Sequence, residues 1–169
     1  KRIVVDEDYV LRIPPGMDLA GAAPLLCAGI TPFSPINTWD LQPGQRYGVI
    51  GMGGLGHMAV KLAAAKGAEV IVFTTSEDKI EDAKAFGATE AYLWSDEEAM
   101  GALRGSFDLM LSTVPVGYQM QPFLNLLKLD GTLVNVGALG MLEGPSGMAM
   151  AFGRTRLAGS MTGGIAETQ

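Results

Sequence analysis

The stretch YGVIGMGGLGHMAVKLAAAKGAEVIVFTTS, residues 47–76, constrains the fold more than any other part of the chain. It passes from an apolar run through Gly51, Gly53, Gly54 and Gly56 into an amphipathic run, then into a second apolar run that ends in hydroxyls. Gly51, Gly53 and Gly56 spell G-x-G-x-x-G between a predicted strand and a predicted helix, and that context turns a weak pattern into a strong one. One glycine serves the tight turn, one lets the backbone approach a pyrophosphate, and one allows helix and strand to pack closely. The first turn of the helix, Gly54, Leu55 and Gly56, then offers its unpaired N–H groups and its positive dipole end to the phosphates. A P-loop nucleotidase would need Gly-Lys-Ser/Thr, which is absent.

From Pro43-Gly44 onward the pattern alternates. Apolar, β-type runs at 47–51, 70–74, 91–94, 107–111 and 132–136 are separated by helical stretches near 54–66, 77–86, 96–103 and 119–128. Alternation of that kind requires parallel strands joined by right-handed crossovers. The runs VIVF and LVNV are almost wholly apolar or β-forming, as strands covered on both faces must be. The expected fold is α/β, an open doubly wound parallel sheet of Rossmann type. Leu55, Met58, Ala59, Leu62 and Ala63 give the first of these helices an apolar stripe, expected to face the sheet.

Before this region, strand-like pieces at 3–5 and 9–13 lead into two helical stretches, with Thr31 read as an N-cap ahead of Pro32. After it, a Gly/Met-rich loop at 140–153, whose Met141, Met148 and Met150 read as adaptable packing, precedes a short last strand at 156–163. A chain of 169 residues with 48% hydrophobic content supports one domain with a real core. Its net charge of −6 lacks the basic footprint that nucleic acid or an anionic membrane demands. Cys27 is the only cysteine, so an internal disulfide and a four-cysteine zinc site are excluded, and a reducing, cytoplasmic setting is expected. No run approaches a membrane span. Strand-like residues at the very start and an unpunctuated GGIAETQ at the end lead us to expect a piece of a longer protein.

The end of the second strand refines the ligand. An NAD site places an acid about 20 positions beyond the glycines for the ribose hydroxyls, and the corresponding residues here are Thr74, Thr75 and Ser76. These hydroxyls, with Lys79 behind them, suit the 2′-phosphate of NADP(H), a group a carboxylate would repel. One charge-assisted hydrogen bond of about 1.5–3 kcal/mol corresponds to roughly 10- to 150-fold in cofactor preference. The same segment also reads as a helix start, with Ser76 as cap and Glu77 and Asp78 complementing the dipole. The missing acid argues equally against a methyltransferase.

The words AAPLLCAGIT-P-FSPI, GMGGLGHMAVKLA, VFTTSEDK and RLAGSMTGG together resemble the cofactor half of the medium-chain, zinc-dependent alcohol dehydrogenases, in the cinnamyl alcohol dehydrogenase-like branch that prefers NADP. The resemblance implies that residues 27–169 are the NADP-binding domain and 1–26 a remnant of, and linker from, a catalytic domain that is missing. It implies that Cys27 is one ligand of a catalytic zinc, whereas the residue alone reads as a small buried hydrophobe. It also implies cofactor roles for Thr31, for His57 (otherwise simple packing), for Thr113 and Val114, for Val136, Gly137 and Ala138, and for Ser160. The substrate implied is a primary alcohol or aldehyde, with hydride passing to or from the nicotinamide while zinc polarises the oxygen. A homodimer through 156–163 is implied as well. With the remaining zinc ligands outside this chain, the chain by itself is expected to bind cofactor and not to turn over. The alternatives are a zinc-free reductase related to quinone oxidoreductases and a non-catalytic NADP-sensing module.

Overall fold

Alternation of apolar side chains along the strands decides the architecture of the computed structural model, which describes residues 2–137 and 140–169. In β1 (Arg46–Ile50), Tyr47 and Val49 point to one face and Ile50 to the other; in β2 (Glu69–Thr74), Val70 and Val72 oppose Ile71 and Phe73. Leu109 and Leu111 of β4 (Phe107–Ser112) likewise oppose Met110. All are buried. Strands apolar on both faces must be covered on both sides, and burial of each large side chain contributes about 1.5–3 kcal/mol. With β3 (Glu90–Leu93), β5 (Leu127–Asn135) and β6 (Arg156–Gly159), they form one sheet in the order β3-β2-β1-β4-β5-β6. Every neighbouring pair is parallel, and Tyr47 at the centre sits beside Val70 and Leu109.

The covering helices are α1 (Leu19–Ala22), α2 (Ile30–Thr38), α3 (Gly54–Ala65), α4 (Asp78–Ala85), α5 (Glu97–Ala102), α6 (Gln121–Leu124), α7 (Gly147–Gly153) and α8 (Ile165–Thr168). Ile36 of α2, Ala59, Val60 and Ala63 of α3 and Ala83 of α4 pack on the Tyr47 face. Met100 of α5 and Phe123 and Leu124 of α6 pack on the Phe73 face. Among the described residues no single helix is long and apolar enough to cross a membrane.

Several local expectations are corrected. Residues 3–5 and 9–13 form no strand: Glu7–Tyr9 is a single 3-10 turn capped by Asp6, and Val4 is 99% exposed. A strand exists only where a neighbour accepts and donates its ladder, and no part of the sheet reaches these residues. Thr31 is not the cap of α2; the helix starts one residue earlier, and the Thr31 hydroxyl donates back to the Cys27 carbonyl at 2.7 Å. Ser76 does not cap α4 with its side chain; its N–H donates to Thr74 Oγ1 at 3.2 Å, closing a turn before Glu77. The helix near 119–128 shrinks to α6, because Phe107 N–H bonds Leu126 O at 3.0 Å and recruits the following residues to β5. β5 therefore starts before 132, with a register shift across 128–131 where Asp130 has φ +63°. The loop at 140–153 contains α7, capped by Ser146, and two of its methionines do not pack: Met141 is 95% exposed and Met148 is exposed too, whereas Met150 is half-buried. The last strand ends at Gly159 rather than 163. Along α3 the buried arc is Gly56, Ala59, Val60 and Ala63, while Leu55, Met58 and Leu62 are half-buried. Met58 and Leu62 border a hollow with Ile30 and Phe33 on the α2 side, and Leu62 also packs against the core on the Tyr47 face of the sheet.

Candidate functional site

The chain leaves β1 towards β2 and β3, then returns to place β4 on the other flank of β1. At such a reversal the crossover helices diverge and leave a crevice beyond the carboxyl ends of the strands. Here it measures about 470 Å³ and runs from the glycine loop over the tips of β2 and β4.

The glycines meet different demands. Gly51 has φ +93°, and a Cβ there would lie 2.9 Å from Thr113 Oγ1. At Gly56 a Cβ would stand 2.2 Å from the Gly51 carbonyl oxygen, so α3 can start this close to β1 only without a side chain. Gly53 and Gly54 have no described atom within 4 Å of a built Cβ, which leaves their stretch of the crevice wall bare. Gly53 precedes α3, and the first helical bond runs from His57 N–H to its carbonyl at 3.0 Å. The N–H groups of Gly54, Leu55 and Gly56 therefore have no partner from the helix itself, and they carry the positive end of its dipole. That arrangement suits a pyrophosphate.

Thr113 joins the two flanks. Its N–H donates to Ile50 O at 2.9 Å, and its hydroxyl lies 3.0 Å from Ile50 O and 3.2 Å from Gly51 O. Behind it, Gly137 packs so tightly that a Cβ would come within 2.3 Å of the Thr113 carbonyl carbon. On the β2 side, Thr74 is buried, Thr75 is exposed, and both line the crevice with Lys79. Among the described residues no carboxylate lines it and Lys79 enters no ion pair.

The structure thus gathers Gly51, Gly53, Gly54, Leu55, Thr74, Thr75, Lys79, Thr113 and Val114 around one space, with Gly56 beneath them. Ser76 and Gly137 stand next to lining residues without lining it themselves, and Val136, whose N–H donates to Ser112 O at 2.9 Å, does not line it either. Thr31 is buried and bonded to Cys27, and Ser160 donates its N–H to Asn135 O at 3.1 Å beyond β6. His57 packs its ring on Phe86, centroids 5.5 Å apart, away from the crevice. Ala138 lies outside the described residues. Reading the sequence missed Met52, Phe73, Trp94, Pro115 and Val116, which also border the crevice. Trp94 directly follows β3, and Pro115 and Val116 closely follow β4, so the rule that ligands lie at strand carboxyl ends pointed to them.

Cys27 is exposed, not a buried hydrophobe. It ends the 3-10 turn Ala23–Leu26, and its carbonyl takes the Thr31 N–H at 3.1 Å, so its backbone is fixed. A zinc centre needs three or more protein ligands. Among the described residues no group of three or more His, Cys, Asp or Glu could hold a metal, so these donors alone do not fit zinc.

A family model described as zinc-binding dehydrogenase matches residues 54–169. The chain is 52% identical over 170 residues to NADP-dependent alcohol dehydrogenase C 1 of Mycolicibacterium smegmatis, covering 99% of this chain and 48% of that protein. It is 50% identical over 171 residues to aldehyde reductase YahK of Escherichia coli, covering 100% of this chain and 49% of that protein. Among solved structures, a cinnamyl alcohol dehydrogenase from Sorghum bicolor superposes with a TM-score of 0.93 at 43% identity, over 98% of this chain and 47% of that one. CAD from Helicobacter pylori complexed with NADP(H) gives 0.88 at 39% identity, over 99% of this chain and 48% of that one. The chain spans about half the length of the curated relatives it matches.

Proposed function

The chain belongs to the zinc-binding dehydrogenase family, and from that premise we propose that residues 27–169 are the NADP(H)-binding domain of an alcohol dehydrogenase or aldehyde reductase. Residues 1–26 lead in from its catalytic domain. The observation that carries the cofactor assignment is a crevice that pairs bare glycines at a helix N-terminus with Lys79 and threonine hydroxyls, and has no carboxylate. The relatives named for NADP support the same choice.

In this reading the N–H groups of Gly54, Leu55 and Gly56 hold the pyrophosphate. Thr75 and Lys79 grip the 2′-phosphate, while Thr74, tied to Ser76, fixes the turn that presents them. Thr113, Val114, Val136 and Gly137 form the floor at the tips of β4 and β5 on which the nicotinamide rests, Thr31 and Ser160 flank it, and Ala138, outside the described residues, shares the cofactor role. The nicotinamide, when bound, supplies or accepts the hydride exchanged with a primary alcohol or aldehyde. Cys27 contributes one thiolate to a zinc centre whose other ligands lie beyond this chain. The chain alone binds cofactor and does not turn over.

A homodimer forms through β6. Ser160 N–H bonds Asn135 O, so residues 158 and 160 face β5, and Leu157 and Gly159 turn their N–H groups to the open edge, ready for a second copy. An exposed, lone thiol suits a reducing, cytoplasmic setting.

Paired titrations with NADPH and NADH, followed by nicotinamide fluorescence and heat, test the reading. The expected result is NADPH binding at least about tenfold tighter than NADH. Equal affinities would remove the 2′-phosphate assignment, and binding of neither would remove the dinucleotide site.

A further inference from the structure

Beyond the tip of β2, away from the glycine loop, the crevice ends at an aromatic ring that phosphate chemistry does not use. Trp94 follows β3, and its N–H donates to Thr74 O at 3.0 Å. It stands one strand past the 2′-phosphate side and two past the glycine loop, about 10 Å by strand spacing. The half-buried indole separates the crevice from a second hollow of about 230 Å³ bordered by Tyr118, Pro122 and Phe123. On that side other rings hold it: Tyr118 is stacked at 5.9 Å and 18°, and Phe123 lies at 5.7 Å. Tyr118 is anchored in turn, its hydroxyl donating to Ser112 Oγ at 2.6 Å. Toward the crevice the indole meets no ring among the described residues. Val116, 64% exposed, borders the same space with Pro115 and offers further bare apolar surface.

A ring fixed from behind and bare in front, at the distance where a dinucleotide extends past its ribose, is a platform for a flat base. We propose that Trp94 is the residue on which the adenine stacks, positioned by the Tyr118–Ser112 bond and by Phe123. This rests on the dinucleotide reading above. Stacking makes the site favour ligands that carry a base over bare phosphates and gives the phosphate contacts a fixed register.

The chain has two tryptophans, and the other, Trp39, ends α2 beside a polar hollow with Gln45 and Arg156, at the start of β1 and β6 rather than their carboxyl ends. Trp39→Phe therefore leaves Trp94 as sole reporter. Adenosine 2′,5′-bisphosphate, which has no nicotinamide, should quench its emission saturably, while inorganic pyrophosphate should not. Trp94→Ala should weaken the bisphosphate about tenfold or more and leave pyrophosphate binding, read by heat, within about twofold; Trp94→Phe should restore most of the loss. Bisphosphate binding without quenching, Trp94→Ala binding it as the unsubstituted chain does, or equal losses for both ligands would overturn the stacking and leave the dinucleotide site standing. Failure of the unsubstituted chain to bind NADPH or the bisphosphate would overturn both. Should Trp94→Ala not fold, the Trp39→Phe titration decides alone.

Discussion

One missing carbon at position 56 lets α3 begin against the turn that ends β1. Gly56→Ala would drive a methyl into a backbone carbonyl that cannot swing aside, and we expect a loss of about 3 kcal/mol in urea unfolding. Gly53→Ala meets no atom and should change stability by no more than about 1 kcal/mol, yet its methyl projects where a pyrophosphate would lie. NADPH affinity should fall at least about tenfold in both variants, for opposite reasons, and the pair separates a folding glycine from a binding one. Lys79→Glu should weaken NADPH about tenfold or more and leave NADH nearly unchanged, since only the 2′-phosphate meets that charge. Tyr47 carries a different cost. It is fully buried, and its hydroxyl has no hydrogen-bond partner among the described residues. Burial holds the phenol far above its ordinary pKa, so it stays neutral throughout the usable range. Tyr47→Phe removes an unsatisfied group at constant shape and should leave stability unchanged or raise it by about 1 kcal/mol, measured as a shift of the urea midpoint.

Among the elements, the exposed edge of β6 invites the sharpest test. Gly159 directs its N–H outward and has no atom nearer than 4.0 Å to a built Cβ. Gly159→Pro therefore removes an edge donor while sparing the bonds between β5 and β6, and sedimentation should show a monomer that still binds NADPH. A dimer unaffected by the proline would place the interface elsewhere. The same elements show what a sequence reveals. The runs from 47 to 136 were legible because both faces of the central strands β1, β2 and β4 are apolar and α3 repeats at its own period, whereas the four-residue α6 is too short to show one. The glycine loop was legible because its spacing carries the constraint. Residues 3–5 and 9–13 misled for a related reason: alternation records which side chains are apolar, not whether a neighbour exists to pair with. Thr31 and Ser76 carry the residue types of caps, but each bonds elsewhere, to Cys27 O and to Thr74, and the contest between such local bonds turns on fractions of a kcal/mol. Trp94 went unnoticed because it reads as the last residue of the run 91–94, and a tryptophan within a strand looks like core until the crevice beside it is seen.

At the scale of the whole molecule, a bound cofactor couples to stability. Cofactor that binds only the folded chain adds about 2.7 kcal/mol at a concentration 100 times its dissociation constant, so NADPH should raise the melting temperature in a concentration-dependent way, and NADH should do so less. The route by which that gain arrives follows from the sheet order. β1 lies between β2 and β4, and the threonine that joins its two flanks, Thr113, bonds Ile50 across 63 positions of sequence. Closing so long a loop is slow compared with forming local helices, and parallel pairings of this kind are late events. Until β4 docks, the glycine loop has no second wall and the crevice does not exist. NADPH should accordingly slow unfolding in a stopped-flow experiment while leaving the refolding rate untouched: the ligand arrives too late to guide the chain and acts only as a latch on the finished molecule.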